Sequence, residues 1–412
     1  MGKTKVSIVK IEADRVQDAV SQALDQIGGI GKFLKPGQSV MLKPNYTGNL
    51  PQDSGGVTSN KVMEAVLKIL RQAKAGRIGI VEGCGTIALG TMRICENLGI
   101  DRIARQYGAE LIDANLTEMC TKKSEAFREL QQVTFTKLVY DFDLIINIPV
   151  MKTHPLVDVT VAMKNMNGLL QPEEKRHFHD VNLRQAIVDF HQVLPSYLTI
   201  VDGITGMEGM GPAEGMPVSM GIILAGENPA ALDAVAARIM GFDPEQIRYL
   251  QYAEESGIGP IRKSEIEVCG SQIRQVYRPF APAEPEKLEF DGVEILELPS
   301  AWKCVGCRAV VAIALNRIRA AGQLPAFEGM KILLHDIPKE EIELNEGEHL
   351  FCIGNCTAAY REKMGIHDKE RPIHEIRGCA PAGLTVEEAI RKVYGVPRLQ
   401  VEVTAAGRIP TV

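Results

Sequence analysis

The stretch Leu144-Ile145-Ile146-Asn147-Ile148-Pro149-Val150 says most about the fold of this 412-residue chain. Its side chains are almost all apolar, whereas a strand with one face in water alternates apolar and polar residues. Strands buried on both faces belong to parallel sheets, because helices cover both sides of such sheets. We therefore predict a buried central strand of a parallel sheet here.

Further strands and helices alternate on either side of this run. Short apolar stretches predict strands at 6–11, 39–42, 77–81, 198–201 and 219–224. Within 60–74, apolar residues recur with the spacing of one buried helix face. Asn228 is a typical N-cap, Pro229 a typical first helical residue and Gly241 a typical terminator of another helix. This alternation predicts an α/β fold with a mostly parallel sheet flanked by helices.

Length and proline content divide the chain. A chain of 412 residues is long enough for two or three domains. Pro279, Pro282 and Pro285 recur in a polar setting, which favours extended backbone and a linker. We predict an α/β domain of one or two lobes at 1–275, a proline-rich linker at 276–298, and a smaller Cys-rich α/β domain at 299–412.

Composition excludes several classes of protein. Hydrophobic residues make up 45% of the chain and charged residues 24%, which is typical of a globular protein. The net charge is −6, aromatic residues make up 5%, and no basic run stands out, so nucleic acid is not an expected partner. No apolar run approaches the roughly 20 residues of a spanning helix, and the N-terminus lacks a signal-peptide pattern. We expect a cytoplasmic protein that does not enter a membrane.

The nine cysteines are concentrated late in the chain. Cys304 and Cys307 form a C-x-x-C pair, and Cys352, Cys356 and Cys379 follow. Four thiolates hold either a [4Fe–4S] cluster or zinc, and the presence of one C-x-x-C pair instead of two favours the cluster. A third interpretation is that these cysteines are buried small hydrophobes or a redox pair. Cys352 falls within a predicted strand, so we expect it to pack inside.

Polar side chains follow several of the predicted strands. Ligands of α/β sheets bind outside the carboxyl ends of the strands, and lysines there suit a carboxylate or phosphate. We therefore predict a cleft for a small anionic substrate. Its proposed catalytic residues are Lys152, His154, Lys164 and Asp233, and its proposed substrate-binding residues are Lys43, Asn45, Asn165, Asp202 and Gly203.

The four proposed catalytic residues have distinct expected roles in the cleft. Lys152 and Lys164 would hold the anion, His154 would act as acid or base, and Asp233 would orient a partner. The glycine-containing segment 202–215 is predicted to be a ligand loop, since glycine lets backbone N–H groups point at an anion. The alternative interpretation is that these side chains and this loop are simply solvated surface features.

Several motifs together resemble a known family. Lys43-Pro44-Asn45, Lys152-Thr153-His154, TVAMKNMNG at 160–168, the glycine segment and the helix at 228–241 occur in the order of the Domain of Unknown Function 362 family. Members of this family are described as iron–sulfur-centre proteins. The resemblance covers roughly 6–259, and the same region is distantly similar to nickel-pincer lactate racemases, which bind a small 2-hydroxy acid between two α/β lobes.

The resemblance also bears on the cysteines. The dense cysteine run of two-cluster members is absent, so a two-cluster electron relay is not implied. The late pattern of C-x-x-C, Gly-x-Cys and Gly-Cys-x-Pro is similar to a variant tail, which implies one [4Fe–4S] cluster on Cys304, Cys307, Cys356 and Cys379. That implication favours the cluster over zinc and leaves Cys352 outside the ligand set.

Three functions follow from these observations. The first is a redox or cluster-assisted enzyme (an oxidoreductase, isomerase or lyase) that acts on the small anion. The second is a non-catalytic electron-transfer or cluster-carrying protein with a redox partner. The third is a zinc-stabilised binding module. A homo-oligomer is compatible with all three.

Overall fold

The computed structural model describes residues 2–84, 90–283, 288–297, 306–334, 337–338, 342–363, 373–378, 381, 383–398, 403–404 and 407–408. The chain falls into two compact units. Unit 1 comprises Met1–Phe178 and Arg184–Ala283, and unit 2 comprises His179–Leu183 and Glu284–Val412. The division at residue 283 lies within the proline-rich stretch 276–298, whereas the sequence gives no signal for the grouping of His179–Leu183 with unit 2.

The first 283 residues alternate strands with helices. The strands are β1 (Thr4–Lys10), β2 (Val40–Lys43), β3 (Ile78–Glu82), β4 (Glu110–Asp113), β5 (Met119–Lys122), β6 (Val133–Thr136), β7 (Leu144–Asn147), β8 (Val150–His154), β9 (Asp158–Thr160), β10 (Leu198–Glu208), β11 (Met216–Gly226) and β12 (Ile266–Gly270). The helices are α1 (Val16–Asp25), α2 (Ile30–Phe33), α3 (Asn60–Gln72), α4 (Thr91–Asn97), α5 (Ile100–Tyr107), α6 (Ala162–Asn165), α7 (Pro172–Asp180), α8 (Leu183–His191), α9 (Pro229–Ile239), α10 (Arg248–Glu255) and α11 (Ile273–Val276). A 3₁₀ turn at Met166–Leu169 follows α6 directly.

Ten of these strands form one large sheet with the order β12-β1-β11-β10-β7-β2-β3-β4, in which β8 joins β10 and β9 joins β8. The other two, β5 and β6, pair with each other in a separate antiparallel ribbon. Neighbours are parallel from β10 through β4, between β12 and β1, and between β8 and β10. Antiparallel pairs join β1 to β11, β10 to β11, and β8 to β9. The predicted α/β fold with a mostly parallel sheet is thereby confirmed.

The apolar run at 144–150 forms two strands instead of one. β7 ends at Asn147, and β8 begins at Val150 after the pair Ile148-Pro149. Proline has no N–H group for a ladder hydrogen bond, so a central strand cannot continue through Pro149. β8 instead continues along β10, where Val150 is the partner of Asp202. The run is buried as expected, but it forms two strands: β7, which pairs with β2, and β8, which pairs with β10.

The glycine-containing segment at 202–215 was predicted to be a loop, and this prediction is wrong for its first half. β10 extends to Glu208 and pairs with β11, which leaves 209–215 as the connection. The register shifts between Gly203 and Thr205, so a bulge absorbs part of the glycine-rich backbone. Pairing along a long hairpin therefore outweighs the weak strand preference of glycine.

The core of unit 1 lies between the sheet and its helices. Apolar side chains of α1, α3, α4 and α5 pack on β2 and β3 in one continuous buried cluster. α9 packs on β1 and β11. The predicted signals of α9 are confirmed, since the Asn228 side chain accepts a hydrogen bond of 2.9 Å from the Ala231 N–H and Gly241 has a φ of +86°.

Unit 2 contains a second, smaller sheet. Its parallel strands β13 (Val293–Leu296), β14 (Met330–Leu334), β15 (His349–Ile353) and β16 (Ile373–Ile376) follow one another in order. Helices α12 (Gly306–Ala320), α13 (Asn355–Lys363) and α14 (Gly383–Tyr394) follow β13, β15 and β16, and β17 (Val403–Thr404) pairs with β18 (Gly407–Arg408). None of the helices in the described residues combines the length and apolar composition that crossing a bilayer requires.

Candidate functional site

Polar residues stand at the carboxyl ends of three neighbouring strands in unit 1. β2 ends at Lys43, β3 at Glu82 and β7 at Asn147. The register of the parallel strands places Lys43 beside Asn147. We call this side of the sheet, defined by these three residues, the polar edge. Carboxyl ends of parallel strands are where open α/β sheets bind ligands.

A buried ion pair lies at the centre of the polar edge. The Lys43 ammonium is 2.9 Å from each carboxylate oxygen of Glu82, and the two residues are 1% and 2% exposed. Lys43 also donates to the Pro44 carbonyl, while Glu82 accepts from the N–H groups of Tyr46 and Gly83. A buried ion pair is tolerated when further hydrogen bonds satisfy both charges, as they do here.

Gly168 lies directly against this ion pair. A Cβ at Gly168 would lie 2.4 Å from Glu82 Oε1 and 2.7 Å from Lys43 Nζ. We expect Gly168→Ala to lower the free energy of unfolding by about 1–3 kcal/mol, the usual cost of overpacking. Chemical denaturation followed by circular dichroism measures this change. Gly31→Ala is the matched control, because a Cβ at Gly31 meets nothing within 4 Å; equal stability of both variants would contradict the prediction.

A chain of side-chain amides adjoins the backbone of Lys43 and Pro44, whose carbonyls accept hydrogen bonds from Asn165 Nδ2. Lys152 Nζ donates to Asn45 Oδ1 at 2.6 Å, and Asn45 Nδ2 donates to Asn165 Oδ1 at 2.7 Å. Asn165 Nδ2 then donates to Asn147 Oδ1 at 2.7 Å. The structure thus brings three predicted site residues together and adds Asn147. Its signal in the sequence is a single amide within an otherwise apolar run.

Lys152 is held in place by two loops. Its ammonium donates to the Gly56 carbonyl at 2.5 Å and to the Pro212 carbonyl at 3.4 Å, and the residue is 1% exposed. Burial lowers the pKa of Lys152 to about 7, and two neighbouring lysines add to this effect while Glu82 opposes it. Lys152 therefore loses its charge near neutral pH.

Two further lysines approach the polar edge. Lys175 donates to the Gly83 carbonyl at 2.8 Å and to Asn115 Oδ1 at 2.7 Å, and burial lowers its pKa to about 8. Burial also lowers the pKa of the half-buried Lys164 to about 8. Within the described part of the chain, the Lys164 ammonium has no hydrogen bond or ion pair. Lys164 thus has no protein partner among the described residues, whereas Lys175, which was not predicted from the sequence, is bonded to Gly83 and Asn115.

Asp233 holds the short helix that carries Lys164. Its carboxylate accepts from the Ala162 N–H at 2.7 Å, the Met163 N–H at 3.1 Å and the Tyr249 hydroxyl at 3.0 Å. Complete burial raises the pKa of Asp233 to about 7, although these hydrogen bonds oppose the rise. The contacts of Asp233 are those of a residue that positions α6.

His154 and Gly203 lie in strands instead of loops. His154 ends β8, is 6% exposed, and accepts a hydrogen bond of 3.0 Å at Nδ1 from the Leu156 N–H. In the neutral imidazole, Nε2 therefore carries the proton. Gly203 pairs with Ile222 in the β10–β11 ladder, and a Cβ there would lie 2.7 Å from Ile222 Cγ1. Gly203 thus serves close strand packing.

Asp202 ties β10 to the start of α3. Its carboxylate accepts from the Ser59 N–H at 2.6 Å and from the Ile204 N–H at 3.0 Å. Burial raises the pKa of Asp202, against the effect of these hydrogen bonds. Both oxygens are therefore engaged with the backbone.

Two of the predicted cysteine ligands meet in unit 2. Cys307 is the second residue of α12, and Cys356 is the second residue of α13. A Cβ on Gly354 would lie 2.8 Å from Cys307 Sγ and 3.8 Å from Cys356 Sγ, so both sulfurs approach the same turn. Cys304 and Cys379 lie outside the described residues.

Cys352 lies in an apolar environment. It is fully buried in β15 and packs with Leu333 and Leu350 in an apolar cluster. The prediction that Cys352 packs inside is confirmed. Among the described residues, no group of three or more Cys, His, Asp or Glu side chains is arranged around one metal position.

Known proteins resemble this chain to different extents. Residues 40–238 match the family described as "Domain of unknown function (DUF362)". The thylakoid-associated protein sll1697 from Synechocystis sp. is 30% identical over 257 residues, which are 60% of this chain and 77% of that protein. The lactate racemase apoprotein from Thermoanaerobacterium thermosaccharolyticum has a TM-score of 0.39 and 13% identity, over 58% of this chain and 57% of that chain.

Proposed function

Because the chain belongs to the DUF362 family, we propose that it is an iron–sulfur protein that acts on a small anion. Unit 2 would hold one [4Fe–4S] cluster on Cys304, Cys307, Cys356 and Cys379. The polar edge of unit 1 would bind the anion. The reaction class would be that of an oxidoreductase, isomerase or lyase.

The observation that carries the cluster proposal is the approach of Cys307 Sγ and Cys356 Sγ to Gly354. Both cysteines stand in the first turn of a helix, where the helix dipole and unpaired N–H groups favour negative charge. Only a glycine hydrogen leaves room for sulfur at this turn. The thiols that the structure describes therefore fit part of a site for an anionic thiolate cluster.

The cluster would supply reversible one-electron chemistry. Its presence is tested by purifying the protein without oxygen and measuring iron, labile sulfide and the visible absorption spectrum. About four iron and four sulfide ions per chain would support the cluster. A colourless protein with one zinc ion would instead select the zinc-stabilised module.

The anion proposal rests on the charges at the polar edge. Lys43 is neutralised by Glu82, whereas Lys152 and Lys164 lack a carboxylate partner among the described contacts. Lys164 would bind the anion directly, and Lys152 would add charge when its two loops release it. Asp233 would position Lys164 through α6, and His154 stays our proposed acid or base because its Nε2 carries the exchangeable proton.

The affinity for a small anion is expected to fall as pH rises from 6 to 9. Lys152, with a pKa of about 7, and Lys164, with a pKa of about 8, are cationic below these values and lose their charge as pH passes through them. Sulfate and oxalate keep constant charge over this range, so titration calorimetry with either anion reports the protein groups. We expect Lys164→Met to weaken binding roughly tenfold at pH 6, or about 1.4 kcal/mol.

Lys137→Met is the matched control for this change. Lys137 forms an exposed ion pair with Glu118 and should leave the affinity for sulfate and oxalate unaltered. Equal binding by Lys164→Met and the unchanged protein, or an affinity that does not vary with pH, would remove the anion site from the proposal.

The exposure of Cys356 favours a second candidate function. A cluster held partly by an exposed thiolate can exchange electrons with a partner protein, so the chain would then be an electron carrier without its own substrate. A reversible one-electron signal in a protein that binds neither sulfate nor oxalate would select this candidate.

A further inference from the structure

Two turns of unit 2 are joined by a reciprocal set of hydrogen bonds. After β15, the N–H groups of Gly354 and Asn355 donate to the carbonyls of Ile376 and Gly378 at 2.9 and 3.0 Å. In return, the Gly378 N–H donates to the side-chain oxygen of Asn355 at 2.8 Å. The turn after β15 and the turn after β16 are therefore held together at one point.

Asn355 makes three hydrogen bonds where the two turns meet. Its backbone donates to Gly378, its Oδ1 accepts from Gly378, and its Nδ2 donates to the Asp180 carbonyl at 3.2 Å. Asp180 belongs to the short segment that groups with unit 2. The amide is the one side chain of this length that supplies both an acceptor and a donor without a charge.

These contacts adjoin two of the proposed ligands in the sequence. Cys356 follows Asn355 directly, and Cys379 follows Gly378 directly. Gly354, with a φ of +97°, precedes Asn355 and faces the sulfur of Cys307. Asn355 thus links the segments that carry two of the four proposed ligands, beside the glycine that faces a third.

We infer that Asn355 is the positioning residue of the thiolate metal site, because it ties the Cys356 turn to the chain segment that leads into Cys379. This inference rests on the proposed function. Residues that orient metal ligands from outside the first coordination sphere typically change metal affinity 10–100-fold when replaced. The neutral amide also keeps an additional negative charge away from the thiolates.

Two replacements separate geometry from charge. Asn355→Ala removes both side-chain bonds, so we expect the protein to lose its metal to an iron or zinc chelator roughly tenfold faster. Asn355→Asp keeps the acceptor for the Gly378 N–H and adds a negative charge. It should retain more metal than Asn355→Ala and shift the reduction potential of the cluster to a more negative value.

Asn316→Asp is the matched control. Asn316 lies in α12 of the same unit and accepts a hydrogen bond from Arg319, which the aspartate preserves. Release kinetics, electron paramagnetic resonance and a redox titration are compared for all the proteins. Asn316→Asp should match the unchanged protein in each measurement.

The outcomes separate this inference from the proposed function. If metal release, the resonance spectrum and the reduction potential are unchanged in both Asn355 variants, the inference is overturned and the cluster proposal is unaffected. Zinc in place of iron and sulfide overturns the cluster, and zinc release from Asn355→Ala then decides the positioning role. A protein that holds no metal overturns both.

Discussion

Replacing Cys356 by serine is expected to abolish the proposed iron–sulfur cluster, so that iron would fall from the proposed content of about four ions per chain to nearly none. Cys307→Ser is expected to do the same, because the two sulfurs approach one turn at Gly354. A serine hydroxyl stays protonated at neutral pH and is a poor ligand for the soft iron–sulfur core. Iron and sulfide analysis after oxygen-free purification measures the loss.

Cysteines of unit 1 provide the control for this result. Cys120 and Cys269 are half-buried and lie in β5 and β12. Serine at either position should leave the iron content unchanged. If Cys307→Ser and Cys356→Ser both keep the full iron content of the unchanged protein, the assignment of these two cysteines as ligands is refuted.

Replacing Glu82 by glutamine is expected to destabilise unit 1 by about 3–5 kcal/mol, since it leaves the Lys43 ammonium buried without its counter-charge. Such a loss is a large part of the roughly 5–15 kcal/mol that stabilises a typical domain. Circular dichroism during urea unfolding gives the size of the change. Hydrogen exchange of peptides from β2 and β3 then locates it in unit 1.

The surface ion pair between Arg77 and Glu110 is the matched control. Its side chains are 44% and 53% exposed, so Glu110→Gln should cost less than about 1 kcal/mol. Lys43→Met combined with Glu82→Gln should recover much of the stability that Glu82→Gln alone removes, because no unpaired buried charge remains. An effect of Glu82→Gln as small as that of Glu110→Gln would show that the buried pair contributes little.

The sequence carries a clear signal for the strands that build the polar edge. Apolar runs bounded by polar residues predict β2, β3 and β7, and the rule for parallel sheets predicts that their carboxyl ends share one side. Lys43, Asn45 and Lys152 are predicted on this basis, and the structure joins Asn45 to Lys152 by a direct hydrogen bond.

Other members of the network have no local signal. Lys175 lies in a charged helix that looks solvated in the sequence, and only the fold brings its ammonium to Gly83. Gly168 gains its importance from the closeness of Lys43 and Glu82, which are far away along the chain. Long-range packing of this kind cannot be derived from periodicity or capping patterns, which describe local structure.

The cysteine pattern could be interpreted only in part from the sequence. The spacing of the cysteines predicts a shared metal group but does not show which helices or strands carry the ligands. The structure adds that Cys307 and Cys356 begin helices after the parallel strands of unit 2. The prediction that Cys352 packs inside is confirmed, because β15 buries it with Leu350 in an apolar cluster.

The attachment of Lys152 to the carbonyls of Gly56 and Pro212 has a kinetic consequence. In the proposed anion site, both segments would have to withdraw before an anion could reach this ammonium, so opening would precede association. The observed association rate would then level off at high ligand concentration instead of rising in proportion to it. The same opening step would slow dissociation and lengthen the residence time of a bound anion.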